Sequence, residues 1–81
     1  MTLTILYFAW LRERIGLPRE SVTTEAATVA DLVAELRTRE DRYALAFSDL
    51  RAVRVALDQQ LSDFSAPLAG VREVAFFPPM T

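Results

Sequence analysis

The sequence predicts a two-layer α+β fold, a mixed sheet with one main helix packed on one face. Three observations lead there. The segments Thr2 to Ala9 and Arg72 to Phe77, near the two ends, carry apolar side chains on both faces of an extended chain. Between them, Val29, Leu32, Val33 and Leu36 follow the i, i+3, i+4, i+7 spacing of a helix with one buried stripe. With 81 residues, 52% hydrophobic and 25% charged, the chain has the length and composition of a single folded domain, 1–81. A globule of this size buries only about 60% of the surface its unfolded chain exposes, so the core is thin.

Taken in order, Leu3, Ile5 and Tyr7 fall on one face of the first strand and Thr4, Leu6 and Phe8 on the other. A strand apolar on both faces is either central or has an outer face that something else covers. Trp10 to Ile15 forms a short helical turn with Leu11 and Ile15 at i,i+4 spacing, and Gly16 supplies the left-handed residue past its end. Arg19 to Thr24 reads as a polar edge strand. Thr28 is placed to cap the main helix, with Asp31 at the third helical position. Tyr43, Phe47 and Leu50 suggest a second, shorter helical piece. Ala52 to Leu57 alternates as a strand, Asp58-Gln59-Gln60 reads as a turn, and Leu61 to Leu68 as irregular chain. In the last strand Val74 and Phe76 share one face, and Glu73, Ala75 and Phe77 the other. Pro78 and Pro79 end it, because neither can donate to a ladder. Placing the first and last strands side by side and parallel in the middle of the sheet accounts for their two-sided apolar character. That is the β-grasp arrangement.

Composition excludes most active-site chemistry. The chain has no Cys and no His, and all nine basic residues are Arg. Thiolate nucleophiles, imidazole acid–base catalysis, Schiff bases and the usual zinc and haem ligands are therefore absent, and no metal site is expected. Nine arginines against eleven acidic residues give a net charge of −2 without a basic stripe, which argues against nucleic acid as a partner. No stretch reaches the roughly 20 apolar residues needed to span a bilayer, and the N-terminus lacks the pattern of a signal peptide. The expected location is the cytoplasm, with no membrane partner.

The segment Glu73-Val74-Ala75-Phe76-Phe77-Pro78-Pro79-Met80-Thr81 resembles the end of the small, sulfur-carrying subunits of molybdopterin synthase, a ubiquitin-like family. Phe8-Ala9-x-x-Arg12-Glu13-x-x-Gly16, Thr28-Val29, Asp41-Arg42-Tyr43-Ala44-Leu45-Ala46, Val55-x-x-Asp58-Gln59-x-Leu61 and Pro67-Leu68 extend the resemblance over nearly the whole chain. It implies a β-grasp fold with a C-terminal tail that finishes in two glycines. In the family, an adenylating, E1-like enzyme activates the terminal carboxylate with ATP, and sulfur replaces the adenylate to give a thiocarboxylate. The tail then enters the large catalytic subunit, where the sulfur passes to a cyclic pyranopterin monophosphate. Two transfers build the molybdopterin dithiolene. Assemblies are commonly heterotetramers around a large-subunit dimer.

The resemblance explains how a chain without His, Cys or Lys takes part in covalent chemistry. A thiocarboxylate is a nucleophile already ionised at neutral pH, and the partners supply the acid–base groups. The carrier itself binds no cofactor and has no catalytic residue of its own. The sequence departs from the family pattern by stopping at Thr81, the residue after which the glycines would come. The reactive glycine is expected beyond Thr81, an absent tail being favoured over a lost function.

On this basis Pro78, Pro79, Met80 and Thr81 form the tail that enters the partner's active site. Phe8, Leu61 and Phe77 form the apolar interface with the large subunit. Without the resemblance, Phe8, Leu61 and Phe77 read as core residues beneath the loop around Phe64; with it, Leu61 still stands even between the two readings. Arg12-Glu13-Arg14 reads as the solvated side of a short helix, Glu73 and Asp63 as surface charge, and Trp10 as a packing residue at the sheet edge. Two other functions remain open: a ubiquitin-like interaction module that transfers nothing, and a related carrier feeding thiamine or tungsten-cofactor synthesis.

Overall fold

The computed structural model describes residues 1–79, so the Met80 and Thr81 part of the expected tail lies outside the described residues. The elements are β1 (Thr2–Tyr7), α1 (Ala9–Ile15), β2 (Arg19–Thr23), α2 (Val29–Arg37), α3 (Asp41–Ala46), a 3-10 turn (Leu50–Ala52), β3 (Arg54–Leu57), β4 (Gln60–Ser62) and β5 (Glu73–Phe77). The five strands form one mixed sheet in the order β2-β1-β5-β3-β4. β1 and β5 lie parallel at its centre, with Ile5 opposite Val74 and Tyr7 opposite Phe76. This is the β-grasp arrangement read from the sequence, and it explains why these two strands are apolar on both faces.

The inward faces behave as the alternation requires. Leu3, Ile5, Tyr7, Val55, Val74 and Phe76 are buried, and α2 turns Val29, Leu32, Val33 and Leu36 into the same core. Phe76 is at the heart of it, stacked on Tyr7 at 6.2 Å and edge-on to Phe47 at 5.0 Å. The Thr28 hydroxyl accepts from the Asp31 amide at 3.2 Å, as the capping pattern predicts. Two more amides at that helix end, Val29 and Ala30, donate to the carbonyls of Ala66 and Phe64. The irregular segment between β4 and β5 thus closes the start of α2 as well as covering the core with Leu68.

Four local expectations need correction. β1 ends at Tyr7 rather than Ala9, because Ala9 takes a positive φ of 53° and turns the chain into α1. Tyr43, Phe47 and Leu50 do not share one helix: α3 stops at Ala46, and Leu50 opens the separate 3-10 turn. Leu61 is not in irregular chain but in β4, which pairs with β3 through Val55–Ser62, Ala56–Leu61 and Leu57–Gln60. Asp58 and Gln59, with φ of 49° and 70°, are the two central residues of a tight hairpin. The turn read at Asp58-Gln59-Gln60 is present, and the strand that follows it makes it a hairpin. Trp10 belongs to the first turn of α1 rather than the sheet edge, half-buried with the Arg14 guanidinium 5.0 Å over its ring.

Candidate partner-docking face

All helices lie on one side of the sheet, so the other side is set by the outward residues of the strands. Register aligns them in rows. Leu6 is opposite Ala75, Ala75 opposite Ala56, and Ala56 opposite Leu61, giving an apolar row across four strands. The next row toward the chain's end holds Phe8, Phe77 and Arg54, with the Phe8 amide donating to the Phe76 carbonyl at 3.1 Å to carry the central ladder onward. Phe8, Ala56, Ala75, Phe77, Pro78 and Pro79 line an open depression of about 470 Å³. The two alanines make its floor low and the two phenylalanines form its walls.

Phe8 is 45% exposed and Phe77 is half-buried, so neither is in the core under the Phe64 loop. Leu61, 76% exposed, stands on the edge strand beside the depression rather than inside it. The sheet therefore brings Phe8 and Phe77 together and sets Leu61 on the same face two strands away. Pro78 and Pro79 continue directly from β5 along the rim. Proline fixes φ and donates no backbone N–H, so the chain leaves the sheet here in a stiffened, extended direction.

Charge marks the two ends of this face. Glu73 and Asp58 lie at the end where β5 begins, and Arg54 at the end where it finishes. Asp58 also holds the turn. One carboxylate oxygen accepts from the amides of Arg72 at 3.0 Å and Glu73 at 2.9 Å, while its own amide donates to the Glu73 carbonyl. These bonds tie the β3–β4 hairpin to the entry of β5 and offset the cost of a left-handed residue that is not glycine. Asp63 is engaged locally: the Ser65 hydroxyl, then the Ser65 amide, hold its carboxyl below the usual range. Arg12, Glu13 and Arg14 are all exposed along α1, the solvated side expected of them.

Sequence reasoning missed a polar cluster on the helix side. Tyr7 and Tyr43 both donate to one oxygen of Glu20, at 2.8 and 2.7 Å, linking β1, α3 and β2. Burial, then these bonds, push the Tyr43 hydroxyl up to about 12 and the Tyr7 hydroxyl further above its ordinary range. The signal was present in the sequence: a tyrosine on the inward face of a strand needs a partner for its hydroxyl. The cluster ties edge strand to core and does not open onto the docking face.

No thiol, imidazole or amine side chain exists in this chain, and among the described residues no group of three or more acidic side chains is placed to hold a metal. What the open face offers is an apolar surface, sparsely charged at its centre, beside the exit of the last strand. Apolar surface of this kind is characteristic of protein interfaces. The sequence pattern of the ThiS family matches residues 5–81.

The chain belongs to the ThiS family. Within the family it is similar to the molybdopterin synthase sulfur carrier subunit of Escherichia coli (strain K12), 39% identical over 77 residues that cover 95% of this chain and 94% of that one. It is also 33% identical over 79 residues to the protein of the same name from Haemophilus influenzae, covering 98% of this chain and 96% of that one. Among solved structures, the Haloferax volcanii HVO 2177 protein superposes with a TM-score of 0.75 at 24% identity, covering 100% of this chain and 85% of that one. That likeness concerns the fold. As a ThiS-family member the chain is a ubiquitin-like β-grasp protein, and none of its described helices is long and apolar enough to cross a membrane.

Proposed function

We propose that this ThiS-family chain is the sulfur-carrier subunit of a molybdopterin synthase and docks on a large catalytic subunit through its open sheet face. The observation that carries the reading is the continuity of the apolar depression with the exit of β5: Phe8, Ala56, Ala75 and Phe77 adjoin Pro78 and Pro79 without a charged residue between them. A partner seated on that face receives the tail at its own active site. The two curated relatives, both named as sulfur carrier subunits of this synthase, support the same assignment.

In the proposed cycle the terminal carboxylate, on a Gly-Gly end following Thr81, attacks the α-phosphorus of ATP on an activating enzyme. The acyl-adenylate forms and pyrophosphate leaves. Hydrosulfide then attacks the acyl carbon, AMP leaves, and the product is a thiocarboxylate. In the large subunit the thiocarboxylate sulfur displaces an oxygen substituent from a carbon of the pyranopterin precursor, and water cleaves the resulting thioester, leaving sulfur on the precursor and returning the tail to a carboxylate. Across these steps the chain's own residues bind and orient: the phenylalanines seat the partner, and the two prolines direct the tail. The proposed place of action is the cytoplasm, where ATP and the precursor are both at hand.

The test is isothermal titration of this chain against the large subunit of a bacterial molybdopterin synthase. Binding at 1:1 per large subunit, weakened more than about tenfold by Phe8→Asp or Phe77→Asp in folded variants, is the expected result. No binding by the parent chain, or unchanged binding by both variants, contradicts the proposal.

A further inference from the structure

We propose that the free protein pairs with a second copy of itself through the open sheet face, in a weak, reversible dimer of two-fold symmetry. The order of residues on that face favours it independently of the proposed function. On β3, Arg54 lies two residues from Ala56 on the outward side, and Asp58 opens the turn after the strand, its carboxylate held by the Arg72 and Glu73 amides. On β5, Phe77 and Glu73 each lie two residues from Ala75, and on β1, Phe8 and Thr4 each lie two residues from Leu6.

A two-fold axis lying between two facing sheets, across the strands at the level of Ala75, therefore sets the row Leu6-Ala75-Ala56-Leu61 on its own copy. The same rotation exchanges the ends of the face. Arg54 comes over the turn end of β3 in the second copy, with the Glu73 carboxylate of that copy on the neighbouring strand, and this happens twice by symmetry. An axis parallel to the strands instead keeps acidic end with acidic end and basic end with basic end. Charge thus selects one of the two simple ways of closing the face on itself.

Size and composition set the strength. The molecule measures 29 × 28 × 20 Å, so even its whole broad face is only comparable to the roughly 800 Å² per partner of a standard interface. The apolar row fills only part of it. At its β2 end each Arg19, exposed on the edge strand opposite Leu6, meets its own copy at the rim. That repulsion is screened by water and keeps the contact weak. The low floor formed by Ala56 and Ala75 lets the two sheets approach, with the larger Leu6 and Leu61 on either side. The expected dissociation constant is on the order of 100 μM.

Sedimentation equilibrium from about 10 μM to about 1 mM reads the association, and amide chemical shifts followed over the same dilution locate it. The expected result is a reversible monomer–dimer equilibrium whose shifting amides belong to Leu6, Phe8, Ala56, Leu61, Ala75 and Phe77. Arg54→Glu weakens it at least about fivefold, and adding Glu73→Arg in the same chain recovers part of that loss. A monomer at about 1 mM, shifts confined to α1, α2 and α3, or a double variant no better than Arg54→Glu alone would each overturn the proposal. Any of these outcomes leaves large-subunit binding, measured separately, untouched.

Discussion

Replacing Phe76 with alanine and, separately, Phe77 with alanine divides the two faces of β5 by a single residue step. Phe76 is fully buried between the rings of Tyr7 and Phe47. Its truncation removes an entire aromatic side chain from a core that cannot collapse around the gap, at a cost of about 3–5 kcal/mol. Phe77 is half-buried with its outer side on solvent, so its truncation forfeits about half the value of a buried side chain, about 1 kcal/mol. A domain of 81 residues has a total stability of roughly 4–12 kcal/mol. The first variant therefore loses a large fraction of it, and its Tm falls by more than about 10 °C. The second remains close to the parent. Urea unfolding followed by circular dichroism measures both, with Trp10, the only tryptophan, as an independent fluorescent probe. Equal costs for the two variants, or a larger cost for Phe77→Ala, would mean that β5 does not present these residues to opposite sides.

Other consequences follow from the same geometry. Both tyrosines of the chain hold their protons above the ordinary value of 10, Tyr43 to about 12. The unfolded chain releases them at about 10, so stability is full below that pH and falls as pH rises above it. A spectrophotometric titration should show tyrosinate only with unfolding; a tyrosine ionising near pH 10 in the folded chain would contradict the Glu20 cluster. Asp58→Ala loses both amide contacts at the entry of β5 and puts a side chain without hydrogen-bonding capacity in a left-handed position, for a cost of about 1–3 kcal/mol. Asp58→Gly relieves the backbone and should be the milder change by chemical denaturation; the reverse order would show that the backbone is not the strained part. Leu32→Ala, at a fully buried position of α2, should cost about 2–5 kcal/mol in the same experiment, and a cost near zero would refute the packing of that helix.

Most of the sheet was legible because its signal is periodic. Two-sided apolar strands place themselves at the centre, and the Val29 to Leu36 stripe admits only one helix face. Parity along β1 and β5 was enough to put Phe8 and Phe77 on the side away from Ile5 and Phe76. What stayed hidden depends on contacts between distant residues or on unusual backbone. The turn at Asp58 and Gln59 was read, but not its support by the Arg72 and Glu73 amides, which come from far along the chain. β4 is three residues long, too short to show alternation. Its absence from the sequence reading is why Leu61 had no firm place, although the ladder sets it on the same face as Ala56. Ala9 turns the chain into α1 at a positive φ, and nothing in the local sequence marks that corner.

The central claim is that this chain carries sulfur on a C-terminal thiocarboxylate. The most direct measurement is the intact mass of the natural protein, purified from its own cells without added sulfur chemistry. The account predicts a chain extended beyond Thr81 by two glycines, with a fraction heavier by the difference between sulfur and oxygen. That fraction should be lost on incubation with the large subunit and the pyranopterin substrate. A natural chain with no glycines after Thr81, or one that never shows the sulfur-for-oxygen shift, would contradict it.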